Sequence, residues 1–265
     1  MRKYIAVAKI LFKAQLAYRF DVIMTALSSI WRVIFAWVLW GAIFSGRAAV
    51  GGFTLETMLT YYVITSFLTV ADLSGTLGFE VSDRIRGGSF SKYMVIPASP
   101  LLYFISQTLG ASGYYGIFAA LAAATGAIAF RIRPAIASNP AAILLAAALY
   151  LTGVVFMNCF NYFIGLWAFK FQEVGFILHL IPNVTSFLSG EYVPLSLLPP
   201  AFAPALRCLP FMHVVYTPAM LLMGETGLAD GLFGLAVIAA WALAMALTCR
   251  ATYNGLRVKY EGVGI

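Results

Sequence analysis

The chain has 265 residues, of which 62% are hydrophobic and 10% charged, and its mean hydropathy is +0.90. A soluble domain is about a quarter charged and roughly half apolar, and a chain this short has no interior large enough to hide the excess. Soluble enzymes, disordered chains and secreted disulfide scaffolds are excluded, which leaves an integral membrane protein. The formal charge of +7 comes with no aromatic-interleaved basic stripe, so lipid is an expected partner and nucleic acid is not.

Residues 1–20 carry an amphipathic pattern. At about 100° per residue, Arg2, Lys9 and Lys13 share one stripe, and Tyr4, Val7, Leu11, Ala14 and Tyr18 lie opposite. Lys9, Lys13 and Arg19 interrupt any continuous apolar core, so a cleaved secretory signal is not expected. The segment predicts an interfacial helix ahead of the first span.

Crossing ~30 Å of hydrocarbon takes ~20 apolar residues in a helix. Six stretches qualify as spans: 22–44, 58–79, 101–130, 141–169, 174–189 and 231–249. The third and fourth hold no charge and are parted by Arg131, Arg133, Pro134 and Asn139-Pro140, a turn signal. The fifth is shorter and contains Pro182. The predicted fold is all-α and integral to the membrane, as a single domain over 1–265.

Between spans five and six, residues 190–227 hold Pro194, Pro199, Pro200, Pro204, Pro210 and Pro218, six of the eleven prolines, yet stay strongly apolar. Proline breaks helices, and irregular backbone at membrane depth must be buried in protein. A re-entrant helical hairpin is expected. A seventh full span around 213–223 is too short and too rich in proline.

With six spans both termini share a side. The far side carries Arg47, Arg131, Arg133 and Arg207; Arg32 lies within a span, and the other twelve Lys and Arg lie with the termini. This bias predicts cytoplasmic termini. No repeat of one half in the other is visible, which speaks against an inverted-repeat carrier.

Two charges fall inside spans, where they are costly and mark function or a buried pair. Arg32 sits near the middle of the first span and Asp72 in the inner part of the second; either a structural ion pair or a substrate or gating contact would account for them. Trp31, Phe35, Trp37, Trp40 and Phe44 read as a lipid-facing or interfacial belt. Gly110, Gly113 and Gly116 permit close helix packing. His179 and His213 stand alone, and Cys159, Cys208 and Cys249 are dispersed. Neither a metal site nor a catalytic set is expected.

The cytoplasmic loop 80–100 exceeds what a plain turn needs. It mixes Asp83, Arg84 and Arg86 with a Gly87-Gly88 break and the apolar Phe90, Tyr93 and Met94, and exits through Pro97 and Pro100, which suggests a docking surface. The chain has no G-x-x-x-x-G-K-[ST] phosphate loop.

The run Arg86-Gly87-Gly88-Ser89-Phe90-x-x-Tyr93-Met94-x-x-Pro97-x-Ser99-Pro100 resembles the corresponding loop of type-2 ATP-binding-cassette (ABC-2) exporter permeases, most closely their six-span branch. A second run is similar to the segment before that branch's last span: Ser189-Gly190-x-x-x-Pro194-Leu195, then Pro199, Pro210-Phe211 and Tyr216-x-Pro218. Gly88 and Phe90 depart from the branch, which more often has an acidic or polar residue and Leu there.

The resemblance implies a transmembrane subunit in a bacterial-type inner membrane. It implies partners: a separate ATPase, which would bind ATP and Mg, and a second permease, more often a related chain than an identical one. Asp83, Arg84, Arg86, Gly87, Phe90, Tyr93 and Met94 would form the coupling helix on the ATPase. Gly190, Pro194, Pro199, Pro210, Phe211 and Pro218 would shape the re-entrant hairpin at the outer end of the pathway. No cofactor is expected in this chain. A secondary transporter, or a membrane enzyme or assembly subunit, are the alternatives.

Overall fold

Long uncharged stretches leave the backbone no partner but itself, and helices follow. The computed structural model describes residues 2–129, 137–171 and 174–259. Phe130, Arg131, Arg133 and Pro134, the expected turn after the third span, lie outside them. Apart from one isolated bridge between Val50 and Phe53, the described residues form helices, turns and loops, and the protein is all-α.

Helix α1 (Arg2–Ala14) leads through a 3-10 turn at Gln15–Tyr18 into α2 (Arg19–Ile43). α1 does not stand apart from the bundle. Lys3 donates to the Pro97 carbonyl and the Ser99 amide donates to the Tyr4 hydroxyl (3.0 Å). Further along, Ala8 lies against Gly110, and Phe12 meets Tyr114 edge-on at 5.5 Å. The helix therefore runs beside α6 (Pro100–Ala129) in the same direction. Gly110 is the seat, because a Cβ there would collide with the Ala8 backbone.

The second span is broken. α3 (Leu55–Val70) opens on a capping box between Thr54 and Thr57, and meets the segment Ser74–Arg86 at 46°. That segment includes α4 (Leu77–Arg86), so seven residues expected in the loop are helical. α5 (Ser91–Val95) is a short helix between α4 and α6. α7 (Pro140–Leu166) begins with Asn139 accepting from the Ala141 amide (3.0 Å).

α8 (Gly175–Leu188) has 14 residues, about 21 Å at ~1.5 Å per residue, too short to cross ~30 Å alone. Beyond it, Leu197 reaches Gly51 in the loop between α2 and α3. α9 (Ala203–Cys208) and α10 (Tyr216–Met223) then form a hairpin whose two limbs, Pro200–Cys208 and Phe211–Met223, meet at 81°. Its tip, Phe211, packs on Phe156 and Phe160 of α7 at 5.7 and 5.5 Å. Phe156 is about 24 Å along α7 from Pro140. The returning limb ends where the Ala137 amide donates to the Leu222 carbonyl (2.7 Å). Both ends of the hairpin therefore lie at one end of the bundle, with its tip deep inside. α11 (Leu228–Leu256) closes the described chain alongside α7.

Among the described residues, four helices are long and apolar enough to cross a membrane; the bent pair Leu55–Val70 and Ser74–Arg86 passes the same test as one broken span, and the hairpin passes it as a bent pair that returns to its own end. Two interiors hold the bundle together. One gathers Met58, Tyr61, Leu149, Phe156, Leu221 and Ile238 under the hairpin; the other gathers Val81, Phe90, Phe104, Tyr162 and Leu166 at the opposite end. The expected aromatic belt divides. Trp31, Phe35 and Trp37 are exposed, whereas Trp40 and Phe44 are buried in the first of these interiors.

Candidate functional site

Two places bring together the residues singled out from the sequence. The first is the segment from α4 to α6. α4 ends at Gly87, whose amide bonds the Asp83 carbonyl (2.8 Å). Gly88 then takes φ +72°, a left-handed conformation that glycine adopts without steric cost. The chain folds back so that the Phe90 amide reaches the Arg84 carbonyl (2.8 Å).

This turn drives Phe90 into the protein. It is fully buried, stacked on Phe104 at 6.1 Å and edge-on to Phe169 at 5.4 Å. Tyr93 is buried too, 4.9 Å from Phe104. Arg84 is a clamp: its guanidinium donates to Glu80 (2.5 and 3.0 Å), Glu80 also accepts from Gln107 on α6 (2.8 Å), and the same guanidinium lies over Tyr93 at 5.4 Å.

Of the residues expected to dock, Phe90 and Tyr93 face inward, and the half-buried Arg84 ties the loop to the bundle. Sequence could not assign the direction of Phe90 and Tyr93, because one lies in a turn and the other in a five-residue helix, too short for a face to emerge from periodicity. Asp83 and Gly87 are exposed, and Arg86 and Met94 half-buried. The outward face of α5 and its exit is formed instead by Lys92, Val95, Ile96 and Pro97, with Val95 83% exposed.

The second place lies within the bundle. Arg32 of α2 donates to Glu191 and to the Thr69 hydroxyl (3.0 Å). Asp72 is engaged elsewhere. It sits at the break in the second span, where the Ser74 amide and hydroxyl both donate to it (2.9 and 3.0 Å). A carboxylate there satisfies the free amide end and the dipole of the second half-helix. Arg32 and Asp72 are therefore near neighbours with different partners. Glu191 was missed at the sequence level, although a lone acid between an apolar span and Pro194 is a legible signal.

Asp72, Glu191, Tyr150 and Asn161 line a cavity of about 130 Å³ between the broken span, α7, α8 and the hairpin. It has room for a few water molecules, and it puts two carboxylates against hydroxyls of Thr69, Ser74, Thr185 and Ser186 at membrane depth. Hairpin backbone forms part of its roof. Gly190 takes φ +82°, and its carbonyl accepts from Tyr61 (2.5 Å); Tyr62 donates to the Tyr192 carbonyl (2.6 Å).

The prolines punctuate the hairpin. Pro194, Pro199 and Pro210 each precede a 3-10 turn and accept from its third residue (3.0 Å in each case), and Pro218 is buried in the first turn of α10. His213, near the tip, is satisfied internally: Nε2 donates to the Arg207 carbonyl (3.0 Å) and Nδ1 accepts from Thr217 (2.9 Å).

Comparison with known proteins bears on this arrangement. A family model described as ABC-2 family transporter protein matches residues 30–264. No curated protein and no solved structure matches the chain. The match spans the broken span, the α4–α6 segment, the buried pair and the hairpin, and the chain belongs to the ABC-2 transporter family as a multi-pass permease subunit.

Proposed function

We propose that this chain is the transmembrane half of an ATP-driven exporter whose power comes from a separate ATPase, the subunit that binds ATP and Mg. The ATPase docks on the outward strip Lys92, Val95, Ile96 and Pro97. A second permease, related rather than identical, completes the pathway. The assembly sits in a bacterial-type inner membrane with both termini in the cytoplasm, as the excess of Lys and Arg on their side supports. Export as the direction follows the family pattern.

The observation that carries this reading is how the loop is mounted. Phe90 and Tyr93 are sunk in the bundle and Arg84 is clamped to Glu80, while Val95 and Ile96 face out. A push on the outward strip is therefore delivered to α4, α6 and α7 rather than absorbed by a slack loop. α4 carries that push to the break at Asp72. There the cavity, the Arg32–Glu191 pair and the hairpin meet, which makes the pair a latch between the first span and the hairpin. A transporter with two access states needs a ligand that favours one of them, and nucleotide-driven closure of the ATPase supplies that preference.

A photo-crosslinking side chain placed at Ile96 in intact membranes tests the docking face. It should capture the ATPase, whereas the same probe at Phe90 should capture only this chain. Capture from Phe90 and none from Ile96 would reverse the assignment.

A further inference from the structure

A second cavity, of about 590 Å³, opens where α6 begins and α11 ends. Its size falls in the range of small-ligand sites. Arg250, Tyr253, Asn254 and Arg257 line it from α11; their spacing of three, four and seven residues puts them on one helical stripe. Arg257 lies over the Tyr253 ring at 5.5 Å. No carboxylate is among the described lining residues. Across the cavity stands the first turn of α6, a 30-residue helix whose opening amides point out of its end.

Tyr162 of α7 supplies an independent sign of a ligand. It is 1% exposed, lines this cavity, and its hydroxyl has no hydrogen-bond partner among the described residues. A buried hydroxyl without a partner costs free energy unless something fills the space before it.

The depth is also informative. α11 has 29 residues, about 43 Å at ~1.5 Å per residue, well beyond ~30 Å of hydrocarbon. Arg250 lies about 33 Å along it from Leu228, at headgroup level. Leu101 and Leu102 give the same cavity an apolar wall.

We propose that this cavity binds the phosphate headgroup of an anionic lipid, with Arg250 and Arg257 as charge partners, Tyr162 as a buried donor, and the acyl chain against Leu101 and Leu102. The cavity borders the proposed coupling face, since Ile96 and Pro97 also line it, and its test needs neither the ATPase nor transport. The purified full-length chain in neutral detergent is titrated with phosphatidylglycerol, phosphatidylcholine or inorganic phosphate, and its thermal melting and bound lipid are followed.

Phosphatidylglycerol alone should raise the melting temperature and stay bound in native mass spectrometry. R250A/R257A should weaken that binding about tenfold or more, and Y162F, which removes one oxygen, should weaken it measurably without lowering the lipid-free melting temperature. Equal stabilisation by phosphatidylcholine, reproduction of the effect by inorganic phosphate, or undiminished phosphatidylglycerol binding in both variants would each overturn the proposal.

Discussion

Arg32 of the first span and Glu191 at the start of the hairpin form an ion pair that joins elements 159 residues apart, with the Thr69 hydroxyl as a second acceptor for the arginine at 3.0 Å. Glu191 is 12% exposed and Arg32 36%, so the pair is only partly screened by its surroundings. Removing one partner leaves the other without compensation.

This asymmetry gives the first prediction. Arg32→Met and Glu191→Leu should each destabilise the purified chain by about 1–3 kcal/mol, and the double variant should cost less than the sum by about 1 kcal/mol. Thermal melting of the four proteins checks it. Strict additivity would mean that the two side chains act independently.

Asp72 is predicted to be a helix cap. Asp72→Ala should cost about 1 kcal/mol and Asp72→Asn much less, since asparagine caps almost as well. Melting temperatures of the two variants distinguish this from a role that needs the charge, in which both substitutions would be equally damaging.

Phe90 and Val95 should behave as opposites. Phe90→Ala empties a fully buried site and should cost about 3–5 kcal/mol, lowering the yield of folded protein. Val95→Asp changes an exposed side chain and should stay within about 0.5 kcal/mol of the parent. It should nonetheless reduce ATPase binding, measured by pull-down. A stable Phe90→Ala with normal stimulation of the ATPase would refute the anchoring role.

Gly190→Ala tests the turn over the polar cavity. The position has φ +82°, and an added Cβ would lie 2.9 Å from the Tyr61 hydroxyl and 3.1 Å from the Tyr216 Cβ. Strain of about 1–3 kcal/mol is expected, together with looser packing of the hairpin, read as faster proteolysis near Tyr192. Unchanged melting and proteolysis would count against the turn's role in holding the hairpin.

Much of the fold was legible because hydrocarbon thickness imposes length: α6, α7 and α11 follow from runs without charge, and the hairpin from prolines in apolar sequence. Less was legible where direction or distance decides. The Arg32 partner lies far along the chain, and nothing in local spacing links the two. Phe90 reads as an exposed aromatic in a polar loop until the left-handed Gly88 turns it inward. The break at Asp72 did carry a signal, an aspartate two residues before Ser74-Gly75, a capping and turn signature overshadowed by the reading of Asp72 as an intramembrane charge. α1 shows an amphipathic pattern suited to an interface, and its packing on α6 at Gly110 is a contact that pattern does not announce.

The central claim is that this permease takes its power from another polypeptide through the outward strip of α5. The most direct measurement is purification of the tagged full-length chain from its own membranes in mild detergent, with identification of every protein that accompanies it. The account predicts a stoichiometric ATPase bearing a G-x-x-x-x-G-K-[ST] loop, lost when Val95 and Ile96 are both replaced by Asp while the permease stays folded. A chain recovered without any such ATPase, yet able in vesicles to move a solute uphill by itself, would contradict it.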